Sequence, residues 1–106
     1  MNPRLKTRWL TALRSEDYVQ GQRGLRTDFG GPVTHCCLGV LCDISGAGKW
    51  FGDSYMYNGE PNHTVLTPAL RSKLGLSPMV EGTLIVLNDG DGRTFSEIAA
   101  WIEENL

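Results

Sequence analysis

Thr94-Phe95-Ser96-Glu97 reads as a capping box, in which a threonine hydroxyl and a glutamate carboxylate satisfy each other's backbone amides at a helix start. Phe95, Ile98, Ala99, Ile102 and Leu106 follow at helical spacing, so a final helix must bury one apolar stripe that runs to the last residue. Any fold open to this chain needs a core on which that stripe docks. Leu5, Trp9, Leu10 and Leu13 predict a first amphipathic helix that starts near Pro3 and fades at Ser15-Glu16-Asp17. Thr34 is a suitable N-cap for an apolar second helix over residues 36–44, ended by Ser45-Gly46. Thr67-Pro68 opens a further helix and Gly75 stops it.

Between these helices the signals are shorter. Residues 18–26 alternate loosely, as an edge strand or an irregular hairpin would, and residues 28–32 form a turn. Trp50-Phe51 and residues 55–57, separated by Gly52-Asp53-Ser54, predict a hairpin. The apolar run 83–87 is open between helix and strand, and 88–92 is a turn. Glycines are frequent, and they cluster between Gly21 and Gly59, where they imply long turns or close backbone approach. The expectation is an α+β chain forming one small domain over residues 1–106, with three to five short helices and a small antiparallel sheet.

With 41% hydrophobic and 21% charged residues, the chain is too apolar for a disordered one. No segment approaches the roughly 20 apolar residues of a membrane span, so no membrane partner is expected. The basic start (Arg4, Lys6, Arg8) leads into no apolar stretch, which argues against a secretory signal and for the cytoplasm. The sequon Asn62-His63-Thr64 then carries no meaning.

Cys36, Cys37 and Cys42 fall in the second helix. There, Cys37 and Cys42 would stand about 7.5 Å apart along the axis, beyond the roughly 6.8 Å limit of an ordinary disulfide. Free thiols are expected, and the spacing offers no metal site. A thiol in the first helical turn feels the positive end of the macrodipole, and the order Cys37, His63, Asn88 copies that of papain-like proteases. A cysteine-dependent hydrolase is therefore one alternative, set against the plainer reading that the cysteines are small core residues. Residues 88–92 fail as a calcium loop, since Arg93 and Thr94 stand where a ligand and a glycine are needed, and Gly48-Lys49 fails as a P-loop. No cofactor is implied.

The net charge of −2 conceals an asymmetry. Residues 1–26 hold six basic and two acidic side chains, whereas residues 81–106 hold one basic and six acidic. The negative total and the lack of a long basic stripe argue against general duplex DNA binding. Arg14, Arg23 and Arg26, with Tyr18, Gln20 and Gln22 between them, describe an anion site in which guanidinium forks hold phosphates, glutamines read polar edges and a ring stacks a base. Trp50, Phe51, Tyr55 and Tyr57 read as core, or else as a platform through which a structural module would dimerise.

Trp9-Leu10-Thr11-Ala12-Leu13-Arg14-Ser15, Gln20-Gly21, Leu25-Arg26, Cys36-Cys37-Leu38-Gly39-Val40-Leu41-Cys42-Asp43, Leu87-Asn88-Asp89-Gly90 and Phe95-Ser96-Glu97-Ile98-Ala99 together resemble a family of small uncharacterised proteins of bacteriophages and prophages. The resemblance implies a phage accessory protein in a bacterial cytoplasm and carries no activity or functional residue with it. The leading expectation is a binding protein without catalysis, used against a host defence. It would sequester a phosphate-bearing small molecule such as a nucleotide, or inhibit a host protein. The alternatives are the hydrolase and a structural or dimerisation module, with a homodimer among the partners.

Overall fold

The computed structural model describes residues 1–28 and 30–106. Helix α1 (Pro3–Arg14) begins as the proline suggests, with the Asn2 side chain accepting from the Arg4 and Leu5 amides, and it buries Trp9 and Leu13. Three two-residue strands follow: β1 (Val19–Gln20), β2 (Arg26–Thr27) and β3 (Thr34–His35). β3 lies between the other two, parallel to β1 and antiparallel to β2. Residues 18–26 therefore do not form a hairpin with themselves. The Gly21 amide donates to His35 O at 2.8 Å and carries the chain off the sheet, and Leu25, fully buried, anchors the far side of the loop. The turn expected at 28–32 includes residue 29, which lies outside the described residues.

Helix α2 (Cys37–Ser45) is the centre of the molecule, with α1, β3 and a later helix, α4 (Pro78–Ile85), packed around it. Every residue from Cys37 to Cys42 is buried, which an apolar run without a polar face requires. Its cap is Cys36 rather than the expected Thr34: the Cys36 sulfur accepts from the Gly39 amide, while Thr34 is taken up by β3. Gly46 ends the helix with φ 66°, a conformation glycine adopts without steric cost.

The second sheet is an antiparallel meander of β4 (Lys49–Phe51), β5 (Ser54–Tyr57) and β6 (Glu60–Asn62). The first two strands are the expected hairpin. The third carries a proline and no apolar alternation, so periodicity does not reveal it, and it sits at an edge where proline is tolerated. Asn58 and Gly59, with φ 51° and 75°, make the tight turn before it. Helices α3 (Pro68–Leu74), α4 (Pro78–Ile85) and α5 (Phe95–Asn105) complete the chain.

The ambiguous run 83–87 is helical because Ser77 caps α4 and Pro78 takes its first position. The turn expected at 88–92 begins as a π turn (Val86–Gly90) that continues α4 directly. The α5 capping box forms in both directions, with Thr94 N to Glu97 Oε1 at 3.0 Å and Glu97 N to Thr94 Oγ1 at 3.1 Å. The α5 stripe of Phe95, Ile98, Ala99 and Ile102 is buried, and α1 packs beside it. The architecture is α+β: five α-helices and two three-stranded sheets among the described residues, the first sheet mixed rather than purely antiparallel. No described helix is long and apolar enough to cross a membrane.

Candidate functional site

Cys36, Cys37 and Cys42 are free and buried. Burial pushes the Cys36 thiol up to about 11 and raises Cys37 and Cys42 well above the ordinary value. At Cys36 the amides of the first α2 turn oppose that shift, yet desolvation outweighs them. The Cys37 sulfur faces the Leu84 carbonyl at 3.8 Å. Asn88 does lie beside Cys37, but its Oδ1 accepts from the Cys37 backbone amide at 3.2 Å and not from the thiol. His63 is exposed, and its Nδ1 stands 3.3 Å from Asp53 O on the meander. Of Cys37, His63 and Asn88 the fold thus joins two, through an amide, and leaves the sulfur protonated and enclosed.

Asn88 is the hub of a different network. Its Oδ1 also accepts from Gln20 Nε2 at 3.0 Å, its Nδ2 donates to Gly21 O at 2.9 Å, and its carbonyl accepts from Gln22 Nε2 at 3.3 Å. Gln20 Nε2 also donates to Arg93 O at 2.7 Å, and Gln20 Oε1 accepts from the Phe95 amide at 3.0 Å. Gln20 and Gln22 therefore tie β1 and its loop to the π turn and to the start of α5. The Gln20 amide is bonded by the fold at both ends, whereas the exposed Gln22 donates through its Nε2 alone. Sequence alone gave no sign of this, since the partners lie more than sixty residues away.

Tyr18 and Arg26 belong to a second cluster, between the two sheets. The Tyr18 hydroxyl and Trp50 Nε1 both donate to the Asp43 carboxylate, Trp50 at 2.9 Å. Burial, and then the Asp43 charge and hydrogen bond, hold the Tyr18 phenol far above its usual range. The His35 ring packs edge-on between Tyr18, at 5.1 Å, and Trp50, at 5.7 Å. Its Nδ1 is buried without a partner among the described residues, and burial lowers its pKa, with Asp43 opposing the effect and Arg26 adding to it. The Arg26 guanidinium lies over the Trp50 ring at 5.7 Å and donates to Gly52 O at 2.6 Å, which pins the first sheet to the β4–β5 turn. His35 and Asp43 went unnoticed in the sequence, where a lone histidine in a two-residue strand carries no pattern.

One cleft, of about 500 Å³, lies between the end of α1, the start of β1 and the first turn of α5. Arg14, Tyr18 and Gln20 line it, together with Glu16, Thr94, Phe95 and Ser96. Three of the six expected ligand residues thus meet there. Gln22, Arg23 and Arg26 do not line it, and Arg23 sits exposed in the β1–β2 loop with φ 64°. Among the described residues Arg14 is paired only with Glu103, at 3.4 Å, and both side chains are largely exposed, so the pair holds the guanidinium weakly. In the first turn of α5 the Phe95 amide is bonded by Gln20 and the Glu97 amide by Thr94, while the Ser96 amide, at the positive end of the helix, has no hydrogen-bond partner among the described residues. Arg14, Tyr18 and Ser96 therefore border one concavity of the size of small-molecule sites.

No curated protein and no solved structure matches the chain. A protein-family model described as a domain of unknown function (DUF8296) matches residues 1–58, a span that runs from α1 through β5 and holds α2, Tyr18, Asp43 and Arg14. That span is more than half of the chain, which belongs to the DUF8296 family.

Proposed function

We propose that this protein binds without catalysis, holding a phosphate-bearing small molecule such as a nucleotide in the cleft between α1 and α5. The observation that carries the reading is the convergence there of Arg14, Tyr18 and Ser96 in the first turn of α5. Arg14 and the Ser96 amide would hold a phosphate, since charge-assisted hydrogen bonds and helix N-termini both favour anions. Tyr18 would supply an aromatic face. Gln20 would act by fixing the wall of the cleft, not by touching the base, because both ends of its amide are already bonded.

The buried, protonated thiols support binding over turnover. The resemblance to phage and prophage proteins supports a setting in the cytoplasm of a bacterial host, where removing a nucleotide would blunt a defence. Native mass spectrometry of the protein purified gently from bacterial cells tests this. The expected spectrum shows a bound species of nucleotide mass that Arg14→Ala loses. A host protein retained in its place would transfer the function to protein inhibition.

A further inference from the structure

Glu16 stands just past the end of α1 with φ 65°, a left-handed conformation that helices ordinarily give to glycine or asparagine. The turn is held on both sides of it, since the Ser15 hydroxyl donates to Ala12 O at 2.7 Å and accepts from the Asp17 amide at 3.1 Å. A glutamate in that conformation is strained where a glycine is not. Among the described residues no hydrogen bond or ion pair engages its carboxylate, and Arg14, two residues back, pairs with Glu103 instead. No bond within the fold accounts for the choice. The side chain does line the cleft between α1 and α5, as the one carboxylate among the residues that border it.

A carboxylate in a phosphate-binding cleft has to face another part of the ligand, because like charges repel. It accepts hydrogen bonds and donates none, so that part must present donors. Resting on the nucleotide reading of the cleft, we infer that Glu16 makes it selective for guanine. Guanine carries N1–H and its exocyclic amino group side by side, two donors that match the two oxygens of one carboxylate. Adenine and cytosine set an amino group beside a ring nitrogen that accepts, and uracil flanks its one N–H with carbonyls. Each of these turns a lone pair toward the carboxylate. Gln20 and Thr94 do not compete for this role, since the Gln20 amide is bonded at both ends and the Thr94 hydroxyl is taken up by Glu97. Tyr18 borders the same cleft and offers the base a flat ring.

Calorimetric titration of the full chain with guanine, hypoxanthine, xanthine and adenine nucleotides, each as the 5′-monophosphate and the 3′,5′-cyclic monophosphate, reads the selectivity. The guanine nucleotide should bind at least about tenfold more tightly than the others, and Glu16→Gln should weaken it by a similar factor. The same change should strengthen the xanthine nucleotide, because a glutamine amide donates to the carbonyl that replaces guanine's amino group and accepts from N1–H. Glu16→Gly separates a ligand contact from a structural role. It relieves the left-handed strain and should raise the melting temperature by a few degrees while it abolishes the preference. A fall in melting temperature with Glu16→Gly, or guanine affinity that Glu16→Gln leaves intact, would overturn the inference. Binding that Arg14→Ala weakens but that is equal for guanine and adenine overturns the selectivity and keeps the nucleotide cleft, whereas no heat with any of them overturns both.

Discussion

An alanine at residue 39 would place its Cβ 1.6 Å from the Leu25 carbonyl oxygen. In an exposed helix interior, glycine to alanine stabilises by about 1 kcal/mol, yet here the added methyl strikes backbone that crosses α2 on its way into β2. Gly39→Ala should therefore cost several kcal/mol, on the scale of core overpacking or more, and show as a large fall in melting temperature. The sequence shows Gly39 inside a helix but not the strand that runs over it. The thiols have the same character. Cys42→Ala should cost roughly 1–3 kcal/mol as a small buried group is deleted, and native Cys37 should resist alkylation near neutral pH. Stoichiometric labelling of the folded protein within minutes would contradict its enclosure.

His35 gives the stability a pH dependence whose sign follows from burial. In the folded chain its pKa lies below the ordinary 6.5, so the unfolded chain takes up a proton first as pH falls. The stabilisation from the neutral ring is complete above about pH 6.5 and is lost progressively below it. Asp43 tempers the loss and Arg26 deepens it. The denaturation midpoint should fall on mild acidification in the parent protein, and fall less in His35→Phe. Parallel profiles for the two proteins would remove His35 from the account.

At the scale of elements, what was legible is what is local. α1, α3 and α5 each carry a cap and a stripe within their own residues, and each lies where those signals put it. The strands of the first sheet are two residues long, too short to show a period, and their pairing depends on β3 lying between β1 and β2. Asn88, Asp89 and Gly90 are turn formers and predict a simple turn, whereas the π turn that begins at Val86 is held by long-range bonds from Gln20 and Gln22. Asn88→Ala should leave the Cys37 and Gln20 donors short of a partner, at about 1–3 kcal/mol for each buried group left unpaired. A midpoint shift below about 0.5 kcal/mol, the size of an ordinary surface substitution, would show that the hub is incidental. Removal of residues 102–106 takes away Ile102, fully buried, and Leu106, which packs against the core. Each is worth roughly 1.5–3 kcal/mol if fully buried, a large share of a small domain's margin, so a truncated chain that melts at the parent temperature would detach α5 from the core.

Over the whole molecule the two charged ends of the sequence do not lie apart. α1 packs against α5, with Lys6 Nζ on Glu103 O and Arg14 on the Glu103 carboxylate. The anion site expected from the basic end is correspondingly divided: Arg26 is drawn into the sheet junction, Gln20 and Gln22 into the fold, and Arg14 with Tyr18 is left beside the α5 N-terminus. Residue types raise the expectation of an anion site, while only the packing of α1 on α5 decides which of them share a cleft.

Calorimetric titration of the full chain against a panel of linear and cyclic nucleotides tests that cleft most directly. Saturable heat with at least one of them is expected, with no change in the ligand after incubation. Arg14→Ala should weaken the interaction by about 1.5–3 kcal/mol, the scale of a charge-assisted hydrogen bond, at an unchanged melting temperature. No heat with any member of the panel, or binding that Arg14→Ala leaves intact, would contradict the nucleotide reading.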